Sequence, residues 1–236
     1  MLRFPPLTPA VRALLIALGC LFVLEAVLQN FLGVPVFQLL SLTTTRISPA
    51  TAWQLLTHVF VVPPVPGIVF SLAISLAFIW LILAPFEARY GQTKVVQLAA
   101  VAAVSAGVPA LLVGQLLPSM AGNLSGPETI TLAAIAGYAV MLPPQAEVSF
   151  FGLFPMRAQH LILVVIGLSV LGFLTSRDAA QLAADCGAIA GGISFCKWMQ
   201  RAPRKAKRAP GVRGGGRLHA VKGGAGGDKD PKRWLN

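Results

Sequence analysis

Six apolar segments follow one another between residues 11 and 195, and they constrain the fold more than anything else in the chain. A bilayer core about 30 Å thick needs roughly 20 apolar residues in a helix. The segments at 11–32, 68–86 and 95–117 meet that length, and those at 129–142, 160–175 and 179–195 follow. Composition agrees: 56% of the 236 residues are hydrophobic and 11% are charged, a balance more apolar than a soluble core of this size requires. Lipid must therefore be part of the solvent. The predicted fold class is an all-α integral membrane protein, a bundle of six transmembrane helices over residues 1–200.

The fourth segment is short. It predicts a helix that begins inside the membrane below an irregular loop, tolerated only where protein or a water-filled cavity satisfies the backbone. Orientation follows from the positive charges, which are retained on the cytoplasmic face near span ends. With the N-terminus inside, one face receives seventeen Lys and Arg residues and the other only Arg46 and Arg177. Both termini are expected on the cytoplasmic side. Residues 38–66 are too long for a simple turn, and Trp53 is expected to anchor that segment in the interface.

Twelve of the nineteen Lys and Arg residues lie from Lys197 onward, so the net charge of +11 is a property of the tail. Gly-rich runs mixed with Lys and Arg cannot bury enough surface to offset chain entropy, and residues 201–236 are predicted to be a disordered cytoplasmic tail. Its partner is either nothing beyond the topology it sets or anionic leaflet lipid; nucleic acid is not expected. Cys20, Cys186 and Cys196 have no metal-ligand spacing and sit in or beside apolar segments, which predicts neither a disulfide nor a metal site. No cofactor is implied. A small transporter or channel is disfavoured, since intramembrane charges are few and no inverted repeat is visible.

Several stretches carry a resemblance. They are Trp-Gln-Leu-Leu-Thr-His-Val-Phe at 53–60, Glu-Ala-Arg-Tyr-Gly at 87–91, Gly137-Tyr138 with Met-Leu-Pro-Pro at 141–144, Phe-Pro-Met-Arg at 154–157, and Ala-Asp-Cys-Gly-Ala at 184–188 with Gly192. In this order and spacing they resemble the rhomboid intramembrane proteases over residues 5–201. The resemblance implies a six-helix bundle in a bacterial inner membrane. It also implies a serine in a Gly-x-Ser-Gly turn opening the fourth helix and a histidine base on the sixth.

At those positions the chain departs from the pattern. Ten residues before Tyr138 stands Glu128, in Gly-Pro-Glu-Thr at 126–129, and Asp185 stands where the histidine is expected. Ser71 and Ser75 occupy the places of the His and Asn that help hold an oxyanion. A serine hydroxyl is a poor nucleophile without a neighbouring base. The three histidines, His58, His160 and His219, all lie outside the sixth segment. Ser125 offers a displaced nucleophile but no evident base, and Lys94 and Lys197 are expected at the opposite membrane face. By resemblance, the expected function is therefore binding of client transmembrane segments without cleavage. The alternative is an active intramembrane serine endopeptidase with its site displaced around Ser125.

The two carboxylates admit several roles. Glu128 and Asp185 are expected to face each other as a proton-sharing latch between the fourth and sixth helices. Activation of water by the pair, as in aspartic proteases, is disfavoured. A simple N-terminal cap by Glu128 is the plainer reading. The small residues Ala184, Gly187, Ala188, Gly191 and Gly192 predict a close-packed face on the sixth helix that meets the fourth near Ala133 and Gly137. Glu87 and Arg89 read as a helix-end pair.

Overall fold

A computed structural model describes residues 5–45, 52–63, 65, 67–143, 145, 147–150 and 154–201. The described residues fall within one compact unit, Met1–Ala202. The expected tail disorder, its lipid contact and His219 fall outside the described residues, as do Arg3 and Arg46.

The helices are α1 (Pro9–Leu32), α2 (Val36–Leu40), α3 (Gln54–Thr57), α4 (Ile68–Tyr90), α5 (Gln92–Leu116), α6 (Glu128–Met141), α7 (Ala158–Ser176) and α8 (Ala179–Arg201). Two small antiparallel ladders accompany them: β1 (Leu42–Thr43) pairs with β2 (Asn123–Leu124), and β3 (Glu147–Phe150) pairs with β4 (Phe154–Arg157). Each of the six apolar segments contains a helix, but they are not equal. Four, namely α1, α4, α5 and α8, are long and apolar enough to cross a membrane, whereas α6 and the apolar part of α7 are shorter. At 14 residues, α6 rises only about 21 Å.

The sequence punctuates these helices in ways elementary chemistry explains. Pro9 sits in the first turn of α1, where a missing N–H costs nothing. Gly33, at φ 65°, ends the helix in a left-handed conformation that a Cβ would oppose. The free amides at the start of α1 are satisfied from far away. Both carboxylate oxygens of Glu87 on α4 are used: Oε1 accepts from the Ala10 N–H at 2.9 Å, and Oε2 accepts from the Val11 N–H at 2.8 Å and the Thr8 hydroxyl at 2.5 Å. Glu87 is thus buried as the cap of α1 rather than paired with Arg89. Arg89 instead lies over the Tyr90 ring, 5.5 Å from its centroid.

α6 is the innermost helix. Every residue from 133 to 137 is buried, as expected of a helix enclosed by others. α8 lies between α5 and α6, and glycine permits the approach on both sides. A Cβ on Gly192 would run into the Ala133 carbonyl of α6, and one on Gly137 would come within 2.7 Å of the Cys196 sulfur. Gly187 and Gly191 instead abut Ser105 and Pro109 of α5. The expected contact of α8 with Ala133 and Gly137 is present, but half of the small-residue face serves α5. The outer faces of the long helices expose large apolar side chains, with Phe31, Leu116 and Phe70 all more than 70% exposed. Lipid contact is the environment in which such surface carries no penalty.

A polar groove between α4, α6 and α7

The turn that opens α6 is held from two sides. Gly126, at φ 105°, takes a conformation that favours glycine, and its N–H donates to the His58 carbonyl at 2.9 Å. Leu42 pairs with Leu124 and Thr43 with Asn123, while the Thr44 hydroxyl donates to the Gly122 carbonyl at 2.6 Å. The segment between α1 and α4 therefore braces the loop that positions Ser125 and Glu128.

Above this brace lies a cavity of about 830 Å³. Its walls are α4 from Ile68 to Phe78 and α7 from Leu161 to Ser176, with α6 as its floor and the start of α8 at one end. α4 and α7 each pack on α6 but do not form a packed pair with each other, and the groove follows from that separation. All five residues singled out in the sequence line it: Ser71, Ser75, Ser125, Glu128 and Asp185. Residues more than a hundred positions apart are thus brought to one surface.

The detailed contacts differ from those expected. Asp185 is buried, and its Oδ1 accepts from the Gln181 side-chain amide at 2.9 Å. Among the described residues no hydrogen bond joins it to Glu128, although the two are near enough for their charges to interact. The register of α6 against α8 is set by the Gly192 and Gly137 contacts, so no carboxyl-to-carboxyl latch is needed for it. Glu128 is the first residue of α6, but the cap position belongs to Pro127 and no side chain caps the helix. The carboxylate can act only through the helix dipole, and it faces the groove.

The imidazoles lie elsewhere. His58 is fully buried, its Nδ1 is 3.0 Å from the Gln54 carbonyl oxygen, its Nε2 has no partner among the described residues, and its ring packs towards Gly107 of α5. Burial pushes its pKa down to about 4, against the partial compensation of its backbone hydrogen bonds, so at neutral pH the ring is uncharged. His160 is exposed at the start of α7. Neither lines the groove, and no lysine does so among the described residues. Ser125 therefore lines the groove with neither an imidazole nor a lysine among the described lining residues.

Four features were missed in the sequence. Gln181 is one turn before Asp185 and could have been read as its i, i+4 partner. Ser169 carried no signal: it is a serine in an apolar run, yet it is 7% exposed, its hydroxyl has no hydrogen-bond partner among the described residues, and it stands beside Asp185 without meeting hydrogen-bond geometry. Asp178, whose Oδ1 accepts from the Gln181 N–H at 3.0 Å, joins the groove at the start of α8. Glu25, alone among apolar neighbours in α1, is buried away from the groove and accepts from the Val62 N–H at 3.3 Å. No group of residues that could hold a metal ion occurs among the described residues.

Lipid-facing helices enclosing a polar groove define a helical integral membrane protein. The chain belongs to the family described as "Eukaryotic integral membrane protein (DUF1751)", whose match covers residues 12–216. No curated protein matches the chain. The family's description is eukaryotic, and it lends no support to the bacterial inner membrane that the rhomboid resemblance implied.

Proposed function

We propose that this protein is a rhomboid-like membrane protein that lacks the serine and histidine dyad and binds transmembrane segments of client proteins without cleaving them. One observation carries the reading: the groove that holds Ser125 is lined by neither imidazole nor lysine among the described residues. A serine hydroxyl is activated for acyl transfer by a histidine or lysine that takes its proton, and the carboxylates present do not reproduce that dyad. What the groove offers instead is a recess between α4 and α7 whose walls mix large apolar side chains with hydroxyls, and whose carboxylates stand at the starts of α6 and α8. Such a surface suits a helix that arrives from the lipid.

In this reading α6 and α7 complete a six-helix bundle, with α6 starting within the membrane. The end of the bundle that carries Arg12, Arg89, Lys94, Lys197 and Arg201 faces the cytoplasm. The groove then opens towards the opposite face, where α6 begins.

The test has two parts. A fluorophosphonate probe is expected to leave the purified protein unlabelled. Labelling that disappears in Ser125→Ala would instead establish the alternative, an active intramembrane serine endopeptidase with its site around Ser125. A photoreactive amino acid in place of Phe173 on α7 is expected to crosslink single-span proteins at their intact length. Shortened products would overturn the reading.

A further inference from the structure

We infer that the groove selects transmembrane helices carrying a lysine or arginine within the span, recognised by Glu128 and Asp185. This rests on the client-binding reading above and names the clients by their chemistry. The argument begins with charge. Three carboxylates, Glu128, Asp178 and Asp185, line the groove, and no Lys, Arg or His does so among the described residues. Arg177, the cation nearest in sequence, is exposed and is not among the lining residues. Asp178 is partly engaged by the amide of Gln181, at the first turn of α8. Glu128 accepts no hydrogen bond from any described residue, and Asp185 has one oxygen engaged by Gln181.

A second observation is independent of charge. Ser169 lines the same groove at 7% exposure with its hydroxyl unpartnered, beside Asp185. Buried polar groups are ordinarily satisfied, and one left without a partner in the wall of a cavity marks a place where a ligand atom would supply the missing hydrogen bond. A hydroxyl accepts as well as donates, so Ser169 and Asp185 together present acceptors to an incoming N–H. Helices crossing a membrane seldom carry a cation, because one left in hydrocarbon costs several kcal/mol. The helix that does carry one gains most from an acidic recess. The large apolar side chains of α4 and α7, such as Leu72, Phe78, Leu168 and Phe173, accept the rest of its surface, and the carboxylates offset the penalty of its one charge.

The full-length protein in lipid nanodiscs is titrated with three fluorescent single-span peptides of leucine, bearing at the centre lysine, leucine or glutamate. The lysine peptide is expected to bind about tenfold tighter than the leucine peptide, and the glutamate peptide weaker than either. In the double variant Glu128→Gln with Asp185→Asn, lysine and leucine peptides should bind alike. Ser169→Ala should reduce the preference by about threefold. Glu25→Gln removes a buried carboxylate outside the groove and should keep the full preference. Should the double variant not fold, Glu128→Gln alone provides the comparison, since that side chain already faces the groove. Equal binding of lysine and leucine peptides to the native protein, or a preference that survives loss of the carboxylates, overturns the inference. Leucine peptide binding with crosslinks at position 173 but no lysine preference leaves the client reading standing. Binding of no peptide removes both.

Discussion

The two sides of α6 are built on opposite principles. Towards α8, and through α8 to α5, the helices meet through glycine and alanine, so close that a single added methyl would strike a backbone carbonyl. Towards α4 and α7 the neighbours stand apart, leaving a groove with carboxylates and hydroxyls on its surface. In lipid there is no hydrophobic force between helices, so close packing and hydrogen bonds must hold them. The glycine side supplies that cohesion and leaves the other side free to be open. A rigid half makes an unfilled half affordable.

The sharpest way to break this contrast is Gly192→Val. The Ala133 carbonyl cannot move aside as a flexible side chain could, and loss of more than about 3 kcal/mol is expected. Thermal unfolding in detergent checks it, and a variant as stable as the native protein would remove the glycine argument.

Next in size is acidification. The pKa of His58 lies at about 4 in the folded protein and near 6.5 when unfolded, so between those values the unfolded chain binds more protons. Stability is complete above pH 6.5 and declines as pH falls towards 4, by at most about 3 kcal/mol. His58→Gln should flatten this dependence, which unfolding midpoints across that range would record. The loss belongs to the braced side, since His58 also holds the Gly126 turn through its carbonyl.

Glu87→Ala leaves three donors of α1 without their acceptor and is expected to cost about 2 kcal/mol. Hydrogen exchange at Ala10 and Val11 should rise sharply, and unchanged protection there would contradict the cap.

On the open side the effects should be small. Glu128→Leu with Asp185→Ala is expected to shift stability by no more than about 1 kcal/mol, since no hydrogen bond joins the pair and the helix register is set elsewhere. A large loss would restore the latch. Smallest of all is Gly172→Ala on α7, where an added Cβ meets nothing within 4 Å. The midpoint should move by less than about 1 kcal/mol, in contrast to Gly192.

Much of the architecture was legible because hydropathy is a local property. Each of the six apolar segments coincides with a helix, although α4 and α8 run four and six residues past the ends read from hydropathy, and the shortness of the fourth was visible as a 14-residue run. The roles of the polar residues were less legible. Glu87 is three residues from Tyr90 and two from Arg89, and sequence proximity suggested a pair. Its actual donors are 76 to 79 residues away. The same holds for Ser169, whose neighbours in the sequence are apolar and whose meaning comes only from Asp185 on another helix.

Residue types alone established that the chain partitions into lipid, roughly where its six apolar helices lie, and that no imidazole is on the last of them. These follow from residue type and spacing along one strand of covalent structure. Which side of each helix is used emerged from three-dimensional packing. It divided the glycines of α8 between α5 and α6, turned His58 towards α5, and gathered Ser71, Ser75, Ser125, Glu128 and Asp185 along one groove. Such choices depend on the shape of surfaces that come from distant parts of the chain, and shape is not encoded until those surfaces meet.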